Sequence, residues 1–122
     1  HGVFRRQRQM CIRDRNSHPQ HEIAVKQQLS PKGEVVFGAM LSIDVGEISF
    51  RDNFLNKIEI FQLAESLGSV ESLVCVPFFM THAALPDKTK LEMGITETLI
   101  RLSIGIEDID DLKLDLSNAL NN

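Results

Sequence analysis

The chain has 122 residues, of which 43% are hydrophobic and 25% charged, and a formal net charge of −4. This size and composition are typical of one globular domain. The sequence contains no apolar run near the ~20 residues of a membrane span and no secretory signal pattern, so we expect no membrane partner. Two cysteines, Cys11 and Cys75, are too few for a disulfide framework and indicate a reducing, cytoplasmic setting.

The charge is unevenly distributed along the chain. Residues 1–15 hold five arginines and one acid, whereas residues 16–122 hold eight basic and 16 acidic residues. A protein that binds a phosphate backbone needs the opposite balance in its folded body. We therefore expect no nucleic-acid partner.

Residues 1–15 show neither helical periodicity nor strand alternation. Their string RQRQMCIRDR resembles a sequencing adapter read as coding sequence. We interpret residues 1–15 as a non-native, disordered segment; a native basic arm and a targeting peptide are the alternatives. The domain then comprises residues 16–122.

The first half of this domain is predicted to alternate between helices and strands. Ser17 can cap a short helix over about 19–29, and the turn at 31–33 follows it. Alternating apolar residues predict a strand over 35–45. A helix over 47–58 is indicated by an apolar stripe at helical spacing, formed by Phe50, Phe54, Leu55 and Ile58.

The second half is predicted to contain shorter elements. A strand over 58–62, a loop over 64–69 and a strand over 72–76 come first, followed by a helix over 87–93 and a strand over 99–104. Asp108 can cap the last helix, and acids crowd its first turn, where the helix dipole favours them. The apolar stripe of this helix is expected to comprise Ile109, Leu112, Leu116 and Leu120.

This order of elements indicates an α+β fold. Most connections are too short for crossovers between parallel strands. We predict a small, mostly antiparallel sheet with helices on one face.

Arg101 is the most informative single residue. It lies in the apolar strand Leu99–Ile104, where an unpaired charge is costly to bury. Its planar guanidinium can bind a substrate carboxylate with two hydrogen bonds. The structural alternatives are an ion pair with Glu97 or Asp108, or a side chain directed into solvent.

Other chemically active side chains have simpler interpretations. His82 fits a hydrogen-bonding loop residue and Cys75 a core residue. The acids from Glu107 to Asp111 lack the spacing of a calcium loop and suit a helix N-terminus. We predict no metal site.

Five strings in order resemble the Cys/Met metabolism family of pyridoxal-phosphate enzymes, which includes cystathionine gamma-synthase, cystathionine gamma-lyase, cystathionine beta-lyase and methionine gamma-lyase. The family's motifs match Ser17–Ala24, Leu63–Leu73, Met80–Ala83, Gly94–Thr96 and Leu99–Asp108. Ser69 departs from the pattern, since the family often has a second glycine after Gly68. The resemblance covers about 17–120.

The resemblance implies the small C-terminal domain of fold-type I pyridoxal-phosphate enzymes. Arg101 would bind the α-carboxylate of a sulfur amino acid, and Ser66 would help to hold it. Glu65 would tune reaction and substrate preference, while Thr81 would line the site. The parent enzyme would synthesise cystathionine or cleave C–S bonds through an aldimine between its substrate and pyridoxal phosphate.

The family's Schiff-base lysine and cofactor-binding residues precede the stretch that matches here. The chain is therefore interpreted as a fragment that holds no catalytic or cofactor-binding residue of its own. In the parent, a large cofactor domain of the same chain would partner it, and the assembly would be a homotetramer. An independent amino-acid-binding regulatory domain and a noncatalytic interaction module are the alternative functions.

Overall fold

The computed structural model describes the backbone of residues 8–10 and all of residues 19–121. The predicted cap at Ser17 lies outside these residues, as does most of the segment 1–15. The strands are β1 (Arg8–Met10), β2 (Met40–Asp44), β3 (Gln62–Leu63), β4 (Leu73–Cys75) and β5 (Leu99–Ser103). The helices are α1 (His21–Gln27), α2 (Ile48–Lys57), α3 (Asp87–Glu92) and α4 (Ile109–Leu120).

The strands form one sheet in the order β1-β2-β5-β4-β3. β5 pairs antiparallel with both β2 and β4, and among the described strands only the β3–β4 pair is parallel. In this register Arg101 lies between Ser42 and Cys75. The prediction of an α+β fold with a mostly antiparallel sheet is confirmed.

Helices α2 and α4 cover one face of the sheet and enclose the apolar core. Phe54 from α2 and Ile100 from β5 are both 0% exposed, and Leu102 is 1% exposed. The buried members of this cluster are Ile43, Val45, Phe50, Phe54, Phe61, Val74, Ile100, Leu102, Leu112 and Ala119. Burial of this apolar surface is the main term that stabilises the helix-covered face.

A buried carboxylate joins α4 to the chain that enters β3. Asp115 is 7% exposed, and it accepts hydrogen bonds from the backbone N–H groups of Glu59, Ile60 and Phe61 at 2.9, 2.9 and 3.3 Å. The carboxylate thus satisfies three donors in an irregular segment that no strand pairs. This contact was not predicted, because an aspartate within a helix usually indicates a solvent-exposed position.

The predicted strand over 35–45 is correct only for its last part, Met40–Asp44. Val35 forms an isolated bridge with Leu29 instead and is 44% exposed. Gly38 has a φ of +80°, in the left-handed region. The extended run is therefore interrupted before β2 begins.

Three residues of the segment that the sequence predicts to be disordered, Arg8–Met10, form the edge strand β1. These residues pair antiparallel with β2, with Gln9 opposite Ile43. The outer edge of β2 offers unpaired backbone groups, and these can pair with a passing segment without any side-chain alternation. The non-native origin of residues 1–15 stays a prediction.

The last helix was predicted closely. Asp108 caps it by accepting from the N–H groups of Asp110 and Asp111. Leu112 is buried as expected, but Ile109 is 57% exposed, so its place in the apolar stripe was wrong. Ile109 lies in the first turn, before the helix reaches the core, and Ala119 and Asp115 complete the buried face instead.

Within the described part of the chain, no helix has the length and apolar character needed to cross a membrane.

Candidate functional site

Arg101 projects from the sheet face opposite to α2 and α4. Residues alternate across a strand, so Ile100 and Leu102 enter the helix-covered core while Arg101 and Ser103 share the other face. Arg101 is half-buried, and its neighbour in β4, Cys75, is 1% exposed. The cation is thus held on a rigid central strand at the margin of solvent.

The Arg101 guanidinium contacts a backbone carbonyl rather than a carboxylate. Its Nη2 donates to the carbonyl oxygen of Glu65 at 3.3 Å. Among residues 19–121 it forms no ion pair, so neither Glu97 nor Asp108 is its partner. The alternative of an internal ion pair is wrong for these two acids, and most of the guanidinium's donors remain available.

The loop over residues 64–72 lies beside Arg101 and is fixed first at Gly68. The N–H of Gly68 donates to Ser103 Oγ at 2.9 Å. Ser103 is 2% exposed, so this bond is shielded from water. Because Ser103 and Arg101 are on the same face of β5, one strand contacts the loop at both Glu65 and Gly68.

The end of the loop is fixed by a carboxylate that follows β5. Glu107 accepts from the Ser72 N–H at 2.6 Å and from the Ser72 hydroxyl at 2.7 Å. The Ser72 oxygen in turn accepts from the Gly105 N–H at 2.8 Å. A Cβ at Gly105 would lie 2.7 Å from the Ser72 nitrogen, so only glycine permits this approach.

Hydrogen bonding sets the ionisation of Glu107. The bond from the Ser72 hydroxyl is the largest influence and lowers the pKa of Glu107 below its usual 4.5. Partial burial opposes this effect, and the Ser72 backbone N–H adds to it. From the sequence, Glu107 was assigned to the helix N-terminus with its neighbours, but its carboxylate binds Ser72 at the end of the loop.

Glu65 and Ser66, which the sequence predicted as site residues, both lie in this loop with exposed side chains. The backbone of Glu65 touches Arg101, so the structure brings Glu65, Ser66 and Arg101 to one place. The Glu65 carboxylate and the Ser66 hydroxyl are both exposed to solvent. They are therefore available to a bound molecule.

Thr81 lies in the turns that connect β4 to α3. Its Oγ1 is 2.7 Å from Nδ1 of His82, and the His82 N–H donates to the Pro77 carbonyl at 2.9 Å. Among the contacts of the described residues, none joins Thr81 to Arg101. Thr81 therefore lies in the segment after β4, and no hydrogen bond or ion pair within residues 19–121 joins it to the Arg101 cluster.

Lys90 is the buried lysine within residues 19–121, at 4% exposed. Its Nζ lies 4.1 Å from the centre of the Phe78 ring and 3.4 Å from Asp87 Oδ1. The contact with Phe78 joins α3 to the turns after β4, whereas the pair with Asp87 lies within α3. Lys90 is thus occupied in packing rather than presented to a ligand.

A second polar cluster stabilises the start of β5. Asp44 accepts from Thr98 Oγ1 at 2.5 Å, from Thr96 Oγ1 at 2.8 Å and from the Gly46 N–H at 3.0 Å. These bonds join the end of β2 to the turn before β5. They fix the strand that carries Arg101. No group of three metal-ligating side chains occurs among the described residues.

The sequence and its family resemblance proposed Arg101, Glu65 and Ser66 as site residues but did not predict the residues that hydrogen-bond to their loop. Ser103 could have been suspected from the sequence, because it is a polar residue two positions after Arg101 and therefore lies on the same face of the strand. Glu107 and Ser72 gave no such indication, because their contact joins residues 35 positions apart across a loop.

Fold and site together define a small α+β domain that presents an arginine and a polar loop on one sheet face. The sequence model for Cys/Met metabolism PLP-dependent enzymes matches residues 13–121. The chain therefore belongs to this pyridoxal-phosphate-dependent family.

Individual relatives agree with this assignment. The chain is 48% identical over 107 residues to cystathionine gamma-lyase of Bacillus subtilis, covering 88% of the chain and 27% of that protein. It is 52% identical over 104 residues to cystathionine gamma-lyase of Dictyostelium discoideum, covering 85% and 26%. The chain thus spans about a quarter of the length of the relatives it matches.

Solved structures show the same architecture. A cystathionine gamma-synthase from Xanthomonas oryzae, in complex with cystathionine, matches with a TM-score of 0.79 and 43% identity, over 88% of this chain and 27% of that one. A cystathionine gamma-lyase from Micromonospora echinospora matches with a TM-score of 0.75 and 38% identity, over 93% and 28%. The expected fold of a small domain from this enzyme family is confirmed.

Proposed function

We propose that this chain is the small C-terminal domain of a pyridoxal-phosphate enzyme that acts on a sulfur amino acid, and that it supplies the binding site for the substrate's α-carboxylate. Arg101 is the primary ligand of that carboxylate, and Ser66 assists it. Glu65 faces the substrate side chain, and Thr81 lines the site more distantly. The supporting relatives are cystathionine lyases and synthases.

One observation carries the proposal. A half-buried arginine on a rigid strand has a single 3.3 Å contact to a carbonyl oxygen and no carboxylate partner among residues 19–121. A guanidinium offers five N–H donors in a planar fork that matches a carboxylate. A ligand carboxylate beside the 64–72 loop would complete its hydrogen bonding.

In this proposal the chain contributes residues that bind the substrate, whereas the rest of the parent attaches the cofactor. Bound pyridoxal phosphate would supply the electron sink for the pair left at Cα of the substrate. Lys90, the buried lysine of residues 19–121, contacts Phe78 and Asp87. We place the Schiff-base lysine in the other three quarters of the parent. This chain's own residues orient the substrate by its carboxylate, which is a positioning contribution to rate.

The remaining parts of the proposal concern the parent enzyme. The share of about a quarter of each relative supports a large cofactor domain on the same chain. We propose a homotetrameric parent whose reaction is cystathionine synthesis or C–S cleavage. Family membership over residues 13–121 favours this reading over an independent regulatory module.

A hybrid enzyme tests the proposal. Residues 17–122 replace the matching quarter of Bacillus subtilis cystathionine gamma-lyase, and thiol release from cystathionine is followed. Lysine keeps the charge of Arg101 but loses the fork, so Arg101→Lys should lower kcat/KM by roughly tenfold to hundredfold, the equivalent of about 1.5–3 kcal/mol. Absorbance of the bound cofactor should stay unchanged.

The matched control is Arg51→Lys, since Arg51 lies on α2 and pairs with Asp52. Arg51 also donates to the Glu97 carbonyl at 2.6 Å and lies over the Phe79 ring, but no hydrogen bond or ion pair among the described residues joins it to the loop beside Arg101. Since Lys keeps its charge, we expect the kinetics of Arg51→Lys to remain within about twofold of the parent hybrid, and its urea midpoint reports any loss of packing. An Arg101→Lys hybrid with parental kinetics, or a parent hybrid that binds the cofactor but cleaves no cystathionine, would contradict the proposal.

A further inference from the structure

The residues that follow Arg101 contact the 64–72 loop at regular intervals. Arg101 hydrogen-bonds to Glu65, and Ser103 hydrogen-bonds to Gly68. Arg101 and Ser103 share one face of β5 because side chains return to the same face every two residues. Gly105 and Glu107 follow the strand and both hydrogen-bond to Ser72, through a backbone N–H and a carboxylate. The stretch 101–107 therefore fastens the loop along its length.

We propose that Ser103 and Glu107 are positioning residues that set the placement of Glu65 and Ser66 over Arg101. This inference rests on the proposed function, because it concerns how the carboxylate site is shaped. Neither residue contacts the substrate in this account. They act through the loop backbone, at Gly68 and Ser72.

Ser103 fixes the middle of the loop. Its Oγ accepts from the Gly68 N–H at 2.9 Å, two residues after Ser66, and its side chain is 2% exposed. Ser103→Ala removes this acceptor from β5, so the Gly68 N–H loses the bond that holds the loop to the strand. The loop must then move to find another partner, and Ser66 moves with it.

Glu107 fixes the end of the loop through three hydrogen bonds from Ser72, at 2.6 and 3.2 Å from the N–H and 2.7 Å from the hydroxyl. The Ile106 N–H adds a fourth link, to the carbonyl of Val70 at 2.9 Å. Val70 is 63% exposed and Leu67 is 54% exposed. Apolar packing therefore contributes little to this loop, and the polar links determine its position.

The effect on catalysis follows from geometry. A displacement of about 1 Å at a substrate-positioning group can cost as much as a hundredfold in rate. Because the loop and Arg101 share the bound carboxylate in this proposal, a displaced loop weakens binding of the amino acid. A purely structural role would instead lower the fraction of folded enzyme, which reduces kcat at unchanged KM.

The first experiment uses the complete 122-residue chain and measures amide hydrogen exchange by NMR. In Ser103→Ala we expect exchange at Gly68 to accelerate by about tenfold or more, and in Glu107→Gln the same at Ser72, since each amide loses its acceptor or its charged partner. The Leu102 amide in β5 reports on the sheet and should not change. Unchanged exchange at Gly68 and Ser72 would overturn the proposal.

The second experiment uses the hybrid enzyme. Ser103→Ala should raise KM for cystathionine by about tenfold, with kcat within about threefold and cofactor content unchanged. Ser103→Thr restores the hydroxyl and should recover most of the loss. The matched control, Ser49→Ala on the exposed side of α2, should leave both constants unchanged.

The outcomes separate this inference from the proposed function. A normal KM in Ser103→Ala and Glu107→Gln, or a fall in kcat alone, would overturn the positioning roles even if Arg101→Lys is impaired as expected. An Arg101→Lys hybrid with unchanged kcat/KM would refute the proposed function. Amide exchange would still decide whether Ser103 and Glu107 hold the loop. If Ser103→Ala does not fold, Glu107→Gln decides by the same criteria.

Discussion

The two faces of the sheet are held by different forces. On the face covered by α2 and α4, side chains such as Phe54 and Ile100 are 0% exposed and pack without polar partners. On the opposite face, the 64–72 loop is held by Arg101, Ser103 and Glu107 through hydrogen bonds, while its apolar side chains Leu67 and Val70 are exposed.

This difference separates stability from function. Apolar burial is non-directional and proportional to area, so it stabilises the helix-covered face without fixing the position of any polar group. Hydrogen bonds fix distance and angle, so the loop face specifies where each group lies. A substrate site requires the second property, and the site that we propose lies on the face that has it.

The comparison predicts that core truncation has the largest effect on folding. Phe54→Ala should lower the free energy of unfolding by about 3–5 kcal/mol, because it removes a fully buried ring and leaves a cavity. Urea denaturation of the 122-residue chain measures this. The control is Phe79→Ala at a residue that is 53% exposed; an equal loss at Phe79 would contradict the assignment of the core.

We expect a smaller loss of unfolding free energy at Asp115, whose carboxylate connects α4 to the segment that precedes β3. Asp115→Asn removes the charge that three backbone N–H groups share, and should cost about 1.5–3 kcal/mol in unfolding free energy. Asp111→Asn, at an exposed position of the same helix, provides the matched control. Equal urea midpoints for the two variants would show that Asp115 does not hold the 59–61 segment.

The smallest effect is a pH dependence on the loop face. The pKa of Glu107 is lowered in the folded state, so its ionised form stabilises folding above its ordinary pKa of 4.5. That contribution is lost as pH falls from 4.5 through the folded-state pKa. The stability difference between the parent chain and Glu107→Gln should therefore shrink on acidification below pH 4.5, as followed by urea midpoints. A difference that stays constant with pH would mean that the carboxylate's charge does not hold Ser72.

The two faces also differ in how far the sequence predicts them. The stripe of Phe50 and Phe54 at helical spacing indicated α2 directly, and the flanking apolar residues of Arg101 indicated β5. Asp108 revealed the start of α4, because caps act within one turn of their own position. Local signals of this kind recover most elements and their order.

Contacts between distant residues were not predictable in this way. Asp115 bonds residues 54 to 56 positions away, and Glu107 bonds Ser72 across 35 positions. A lone aspartate or glutamate carries no local pattern that names its partner. Likewise β1 depends on the open edge of β2 rather than on periodicity in its own residues.

The most direct test of the account asks whether Arg101 recognises the α-carboxylate itself. In the hybrid enzyme, inhibition constants are measured for an amino-acid inhibitor and for the amine that carries hydrogen in place of its α-carboxylate, each against the parent and Arg101→Lys. We expect Arg101→Lys to raise the inhibition constant of the amino acid by about tenfold to hundredfold and that of the amine by less than about twofold. This difference measures the coupling between Arg101 and the carboxylate. Equal weakening of both compounds would contradict the assignment of Arg101 as the carboxylate ligand.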